Sequence, residues 1–144
     1  MSVTATLRAG VTTASPEETQ ALAAAWAAEL PAGTTVALHG DLGVGKTTFT
    51  QGFARGLGVT GAVTSPTFTV FNLHRAGEKT LIHLDAYRLG SEAEAEALMV
   101  EDFLRDPWWM VVEWPERLGA ALPGDARHLE LSILPDRRHA LTLR

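Results

Sequence analysis

Apolar positions along the chain change their period several times, and each change predicts an element. Leu22, Trp26 and Leu30 recur at helical spacing behind Ser15-Pro16-Glu17-Glu18, which joins an N-cap serine, a proline at the first helical position and a glutamate three residues after the cap. This predicts an amphipathic first helix ending at Pro31-Ala32-Gly33. Thr34-Thr35-Val36-Ala37-Leu38-His39 follows as a short, nearly continuous apolar run, the pattern of a strand covered on both faces, and it stops at Gly40. Beyond a glycine-rich stretch, Phe49, Phe53 and Leu57 form one stripe of a second helix, ended near Gly56 and Gly58.

The second half reads as hairpins between shorter elements. Residues 67–74 and 80–84 flank a five-residue polar connection, 75–79, and predict a β-hairpin whose second strand delivers Asp85 at its carboxyl end. Ser91-Glu92-Ala93-Glu94 is another capping box, opening a helix through about Leu98, and Trp109-Met110-Val111-Val112 is a short buried strand ending at Glu113. Leu129, Leu131 and Ile133, then Leu141 and Leu143 across Pro135-Asp136-Arg137, predict a final hairpin. Strands alternating with helices, plus hairpins, indicate an α/β fold with a mixed sheet.

Length and composition narrow this further. At roughly 100–200 residues per domain, 144 residues predict one domain over 1–144, and 46% hydrophobic residues suffice for a core. The absence of cysteine excludes a disulfide framework and thiolate metal sites and fits a reducing compartment. No stretch approaches the roughly 18 consecutive apolar residues of a membrane span, and the N-terminus lacks the layout of a signal peptide. The expectation is a soluble, cytoplasmic protein without a membrane partner. A net charge of −5 argues against a domain whose main work is gripping phosphates of a nucleic acid.

Gly40-Asp41-Leu42-Gly43-Val44-Gly45-Lys46-Thr47 carries the chemistry. It matches G-x-x-x-x-G-K-[ST] and lies between a buried strand and a helix, as that motif requires, so the fold class becomes a P-loop NTPase-like mixed sheet flanked by helices. Glycines let backbone N–H groups turn inward around phosphate oxygens, and a helix starting near Lys46 adds its partial positive charge. The expected nucleotide-binding residues are Asp41, Leu42, Gly43, Val44, Gly45, Lys46, Thr47 and Thr48. Lys46 is expected to reach the β- and γ-phosphates, and the Thr47 hydroxyl to bind Mg²⁺.

Such a loop needs an acidic partner for its metal, and two strand-end carboxylates, Asp85 and Glu113, are candidates. A lone strand-end acid equally caps a loop or pairs with an arginine such as Arg88 or Arg117. Two of them downstream of a P-loop favour function, one beside the metal with Thr47 and the other orienting the attacking water. Ser65-Pro66-Thr67-Phe68 presents a hydroxyl where P-loop proteins carry a nucleotide-sensing segment, and it reads equally well as a turn leading into a strand. The five histidines show no close ligand spacing, which argues against zinc. Trp26, Trp108 and Trp109 read as core, Trp114 as lying at the site mouth, and Glu92, Glu94 and Glu96 as a solvated helix face.

GDLGVGKTTFTQGFARGLG, VTSPTFTVFNLH, LIHLDAYRL and VVEWPERL, in this order, resemble the bacterial TsaE (YjeE) family over about residues 15–118. The resemblance implies a small P-loop ATPase with weak intrinsic hydrolysis of ATP in the presence of Mg²⁺. It implies binding to a TsaB–TsaD heterodimer that transfers threonylcarbamoyl to adenosine 37 of tRNA, with tRNA reached only through that complex. It also implies that Glu113 is the metal-side acid beside Lys46 and Thr47, that Thr67 belongs to a nucleotide-responsive loop and that Asp85 is needed for activity. Two departures from the family pattern bear on partner contacts: Phe68 replaces a common tyrosine, and Met99-Val100-Glu101-Asp102 lacks the usual glycine.

Two other readings remain open at this level. A small metabolite or nucleotide kinase would use the same loop but usually adds an arginine-bearing lid, for which no insertion is apparent. A non-hydrolysing adaptor would use ATP only to order residues 65–71. A GTPase is disfavoured because no Asn-Lys-x-Asp string occurs.

Overall fold

Thr34–His39 forms strand β2, and its five buried residues of six place it at the centre of the sheet. The computed structural model describes residues 2–41, 43–63 and 71–144. With the other strands numbered along the chain, β1 (Val11–Thr13), β3 (Phe71–Ala76), β4 (Lys79–Asp85), β5 (Trp108–Glu113), β6 (Arg127–Ile133) and β7 (His139–Leu143), the seven-stranded sheet runs β1-β7-β6-β2-β5-β4-β3. β6, β2, β5 and β4 are mutually parallel, and the antiparallel hairpin partners β7 and β3, with β1 beyond β7, extend the two edges. The sheet is therefore mixed, as the hairpins require. Parallel pairing brings His39, Asp85, Glu113 and Ile133 to one end, where open α/β sheets collect ligands.

Four helices, α1 (Val3–Ala9), α2 (Pro16–Glu29), α3 (Lys46–Gly56) and α4 (Glu92–Ala97), flank the sheet. Ser15 caps α2 by accepting from Glu18 N, while Glu18 Oε2 accepts from Ala14 N at 2.7 Å, so the capping box closes at both ends. The Ser91 box behaves alike: Ser91 accepts from Glu94 N, and Glu94 reaches back to Gly90 N at 2.8 Å. Glu92, expected to be only solvated, accepts from Ala120 N at 3.2 Å and so ties α4 to the turn after β5.

The face of α2 turned inward is Thr19, Ala23, Trp26 and Ala27, with Leu22 only half buried, so it is made mostly of small side chains. Their size matters because α3 lies backbone to backbone against it. A Cβ added at Gly52 would run into the Gln20 backbone, and one at Gly56 into that of Ala24. Phe49 and Phe53 then fill the space between α3, Trp26 and the sheet.

α1 and β1 were not legible in the sequence. One has seven residues and the other three, too few to establish a period. α1 exists because of tertiary contacts: Glu29, at the end of α2, accepts from Val3 N and Thr4 N at 2.8 and 3.0 Å, and Trp26 Nε1 donates to Thr4 Oγ1 at 3.0 Å. Those bonds, led by the Thr4 hydroxyl, hold the Glu29 carboxyl below its ordinary pKa. The β3–β4 connection is two residues, Gly77-Glu78, because pairing continues through Ala76 and Lys79, not the five expected. Ile133 is 49% exposed, so the apolar alternation of β6 ends at Leu131.

Candidate functional site

β2 ends at His39, and the chain turns through Gly40 to α3. Gly40 has φ +147°, and a Cβ there would lie 2.6 Å from both Leu131 O and Val44 Cγ2, so no other residue fits without moving β6 or the loop. Gly45, the N-cap of α3, has φ +98° and contributes no side-chain acceptor to the first helical turn. A tight glycine turn opening onto an eleven-residue helix N-terminus suits a phosphate. Asp41 and Gly43 are exposed on this loop, Val44 is buried beneath it, and Thr47 and Thr48 lie half buried in the first turn of α3. Leu42 and Thr67, together with Ser65, Pro66 and Phe68, fall outside the described residues.

Lys46 is only 5% exposed. Its Nζ donates to Gly40 O at 2.8 Å and lies 4.0 Å from the centroid of the Trp114 ring, which stacks in turn on Tyr87 at 5.1 Å. Burial lowers the Lys46 pKa, and Glu113, Asp85, Glu116 and Asp41 oppose that shift. The ammonium thus feels the negative charge of these four carboxylates, Glu113 foremost. Trp114 sits at this mouth with φ +56°, as its position after Glu113 suggested.

Asp85 and Glu113 are register partners at the ends of β4 and β5, on the sheet face covered by α3. Asp85 is half exposed, and its Oδ1 accepts from Tyr87 N at 3.0 Å, a local Asx turn. Glu113 is buried, and its Oε2 accepts from His83 Nε2 at 2.5 Å. Of the two arginines expected as alternative partners, Arg88 and Arg117, the second is engaged elsewhere: it donates to Leu89 O and packs over Tyr87.

Two contacts at this end escaped the sequence reading. His139, the first residue of β7, donates from Nδ1 to Val44 O at 2.9 Å and lies against Gly45, so the last hairpin braces the loop. Nothing local announces a contact across 95 positions. His83 did carry a signal: it stands two residues before Asp85 on one strand, hence on the same face. Among the described residues no group of three or more His, Asp and Glu side chains is placed to hold a metal by itself. Oxygen donors from Thr47, Asp85 and Glu113 fit a Mg²⁺ that keeps waters and takes phosphate oxygens for the rest of its shell.

The sheet order, the glycine loop at the end of its central strand and the helix that follows define a P-loop NTPase-like protein. Residues 13–140 match the family described as "Threonylcarbamoyl adenosine biosynthesis protein TsaE". The chain belongs to the TsaE family. It is 39% identical over 130 residues to a tRNA threonylcarbamoyladenosine biosynthesis protein TsaE of Bacillus subtilis, covering 90% of this chain and 81% of that protein. It is 47% identical over 105 residues to the protein of that name in Streptomyces coelicolor, covering 71% and 70%. The crystal structure of Bacillus subtilis YdiB superposes with a TM-score of 0.78 at 34% identity, over 93% of this chain and 82% of that one. Among the described residues no helix is long and apolar enough to cross a membrane.

Proposed function

We propose that this chain binds ATP with Mg²⁺ in the cradle formed by Asp41, Leu42, Gly43, Val44, Gly45, Lys46, Thr47 and Thr48 and hydrolyses it slowly. It does so as the nucleotide-consuming subunit of a cytoplasmic TsaB–TsaD-type complex that places threonylcarbamoyl on adenosine 37 of tRNA. The observation that carries this reading is Lys46: a buried ammonium at a helix N-terminus, within the electrostatic influence of Glu113 and Asp85, at the carboxyl end of the parallel strands.

Lys46 would leave the Gly40 carbonyl for the β- and γ-phosphates, and the loop N–H groups would hold the same oxygens as charge develops during in-line attack by water. Thr47 and Glu113 would hold the metal, and Asp85, with a more exposed carboxylate, would orient the attacking water. Mg²⁺, when bound, would neutralise the charge that develops on the phosphates. Thr67 is assigned to a nucleotide-responsive loop. The relatives' names support the modification pathway, and the resemblance supports the partner pair.

Replacing Lys46 by alanine is expected to lower ATP turnover by about 10²-fold or more, several kcal/mol of transition-state stabilisation. Turnover equal to wild type, with contaminating ATPases excluded, overturns the assignment. Glu113→Gln is expected to keep ATP binding and lose hydrolysis. A wild-type complex with no turnover at all would favour the adaptor reading, and hydrolysis unchanged across a titration with TsaB–TsaD would remove the partner.

A further inference from the structure

The histidine beside Glu113 is buried at a depth that a polar ring tolerates only when it is bonded. His83 has 0% exposure, sits between Leu81 and Asp85 on the α3 face of β4, and directs Nε2 at Glu113 Oε2 at 2.5 Å. A carboxylate can only accept, so the ring carries its proton on Nε2. Among the described residues, the buried Nδ1 meets no hydrogen-bond partner. A site selected for stability alone would place an apolar residue here, as Leu81 and Ile82 do alongside, since an orphaned ring nitrogen in the interior is destabilising. Among the described residues, the bond to Glu113 is the one that this ring makes.

Resting on the nucleotide-binding reading above, we propose that His83 is the positioning residue of the metal-side acid. It commits Oε2 of Glu113 to the interior and so leaves one oxygen, in one orientation, for the cation. Without the ring, Glu113 would remain buried at the end of β5 but would rotate freely or turn toward Lys46, whose ammonium its charge already favours. Polar partners that orient metal-binding carboxylates typically contribute 10–100-fold in affinity or activity. The role differs from that of Asp85, whose carboxylate is fixed by its own loop through Tyr87 N.

The test compares wild type, His83→Gln and His83→Met. Glutamine and methionine have nearly the same length and volume, but only glutamine carries an N–H at the reach of Nε2. ADP affinity is measured calorimetrically with and without Mg²⁺, and ATP turnover is followed against Mg²⁺ concentration. Metal-free ADP affinity is expected to be the same in all three proteins. The tightening that Mg²⁺ adds is expected to persist in His83→Gln and to fall about 10–100-fold in His83→Met, with half-maximal turnover moving to correspondingly higher Mg²⁺. Equal behaviour of the two variants, or an unchanged Mg²⁺ increment in both, overturns the proposal. Should neither variant fold, imidazole ¹⁵N spectra of the wild type decide: the His83 signals must shift when Mg²⁺ is added to ADP-loaded protein, and constancy overturns the role. A wild type that binds no nucleotide removes the underlying functional reading as well, whereas normal wild-type binding with indifferent variants removes only His83.

Discussion

The two faces of the sheet are built from different materials. On one, α1, α2 and α3 cover Val36, Leu38, Trp109, Val111, Leu129 and Leu141, and Trp26, Phe49 and Phe53 are wholly buried between helices and strands. On the other, a six-residue helix and short 3-10 turns cover Ile82, Leu84, Met110 and Val112 with Ala95, Leu89 and Leu118. Several of its flanking apolar residues stay half exposed, and Met99 and Phe103 face solvent. Lys46, His83, Asp85 and Glu113 all belong to the first face. A site that must hold charged groups within tenths of an ångström is built where helix packing restricts every neighbour, and the thinner face can vary without disturbing it.

Cavity-forming substitutions break this comparison most directly. Phe53→Ala is expected to destabilise the protein by about 3–5 kcal/mol, and Leu118→Ala on the second face by only about 2 kcal/mol, because loosely covered residues can collapse into the space. Urea denaturation of both measures the difference, and equal losses would mean the faces are equally well packed. Gly52→Val comes next, at about 3 kcal/mol, since the side chain meets backbone and α2 must move as a unit. The same substitution at Gly61, where no atom of the described residues lies within 4 Å of an added Cβ, is the control.

Smaller effects sharpen the contrast. Met99 follows the C-cap of α4 at φ 53°, in the left-handed region, which glycine occupies with the least strain. Met99→Gly is therefore expected to stabilise the chain by up to about 1 kcal/mol, seen as a higher urea midpoint at unchanged ATP turnover. Both faces also hold a histidine below its ordinary pKa. His74 is lowered first by its burial and then by the neighbouring His83; His39 is lowered first by its burial and then by Arg144 and by His128, with which it shares a 2.8 Å hydrogen bond. In each case the unfolded chain binds the proton more readily. Stability is thus fully present above the ordinary histidine value of about 6.5 and declines as pH falls from there through the folded-state value. Denaturation midpoints between neutral and mildly acid pH are expected to fall less steeply in His39→Gln and His74→Gln, and slopes identical to wild type would exclude both histidines as the source.

Much of this architecture is written into short stretches of chain. The Ser15 and Ser91 boxes, the Phe49-Phe53-Leu57 stripe, the strand 34–39 and the turn from Gly40 to Lys46 depend on residues within a few positions of one another. A period, a cap or a glycine turn is decided by local sterics and local hydrogen bonds. Strand-end acids were visible for the same reason, because a strand's last residue can be read from where its apolar run stops.

What only folding decided is who meets whom. His139 reaching the P-loop, Glu29 capping α1, Gly52 lying against Gln20 and Lys46 resting on Trp114 join residues that share no local pattern. Register and helix crossing emerge from the sum of many weak contacts, and no single one is strong enough to leave its mark on the order of residues. The chain alone thus determined a glycine turn between strand and helix, and the acids at two strand ends, by local chemistry, while the tertiary structure decided that a buried histidine would grip one of those acids.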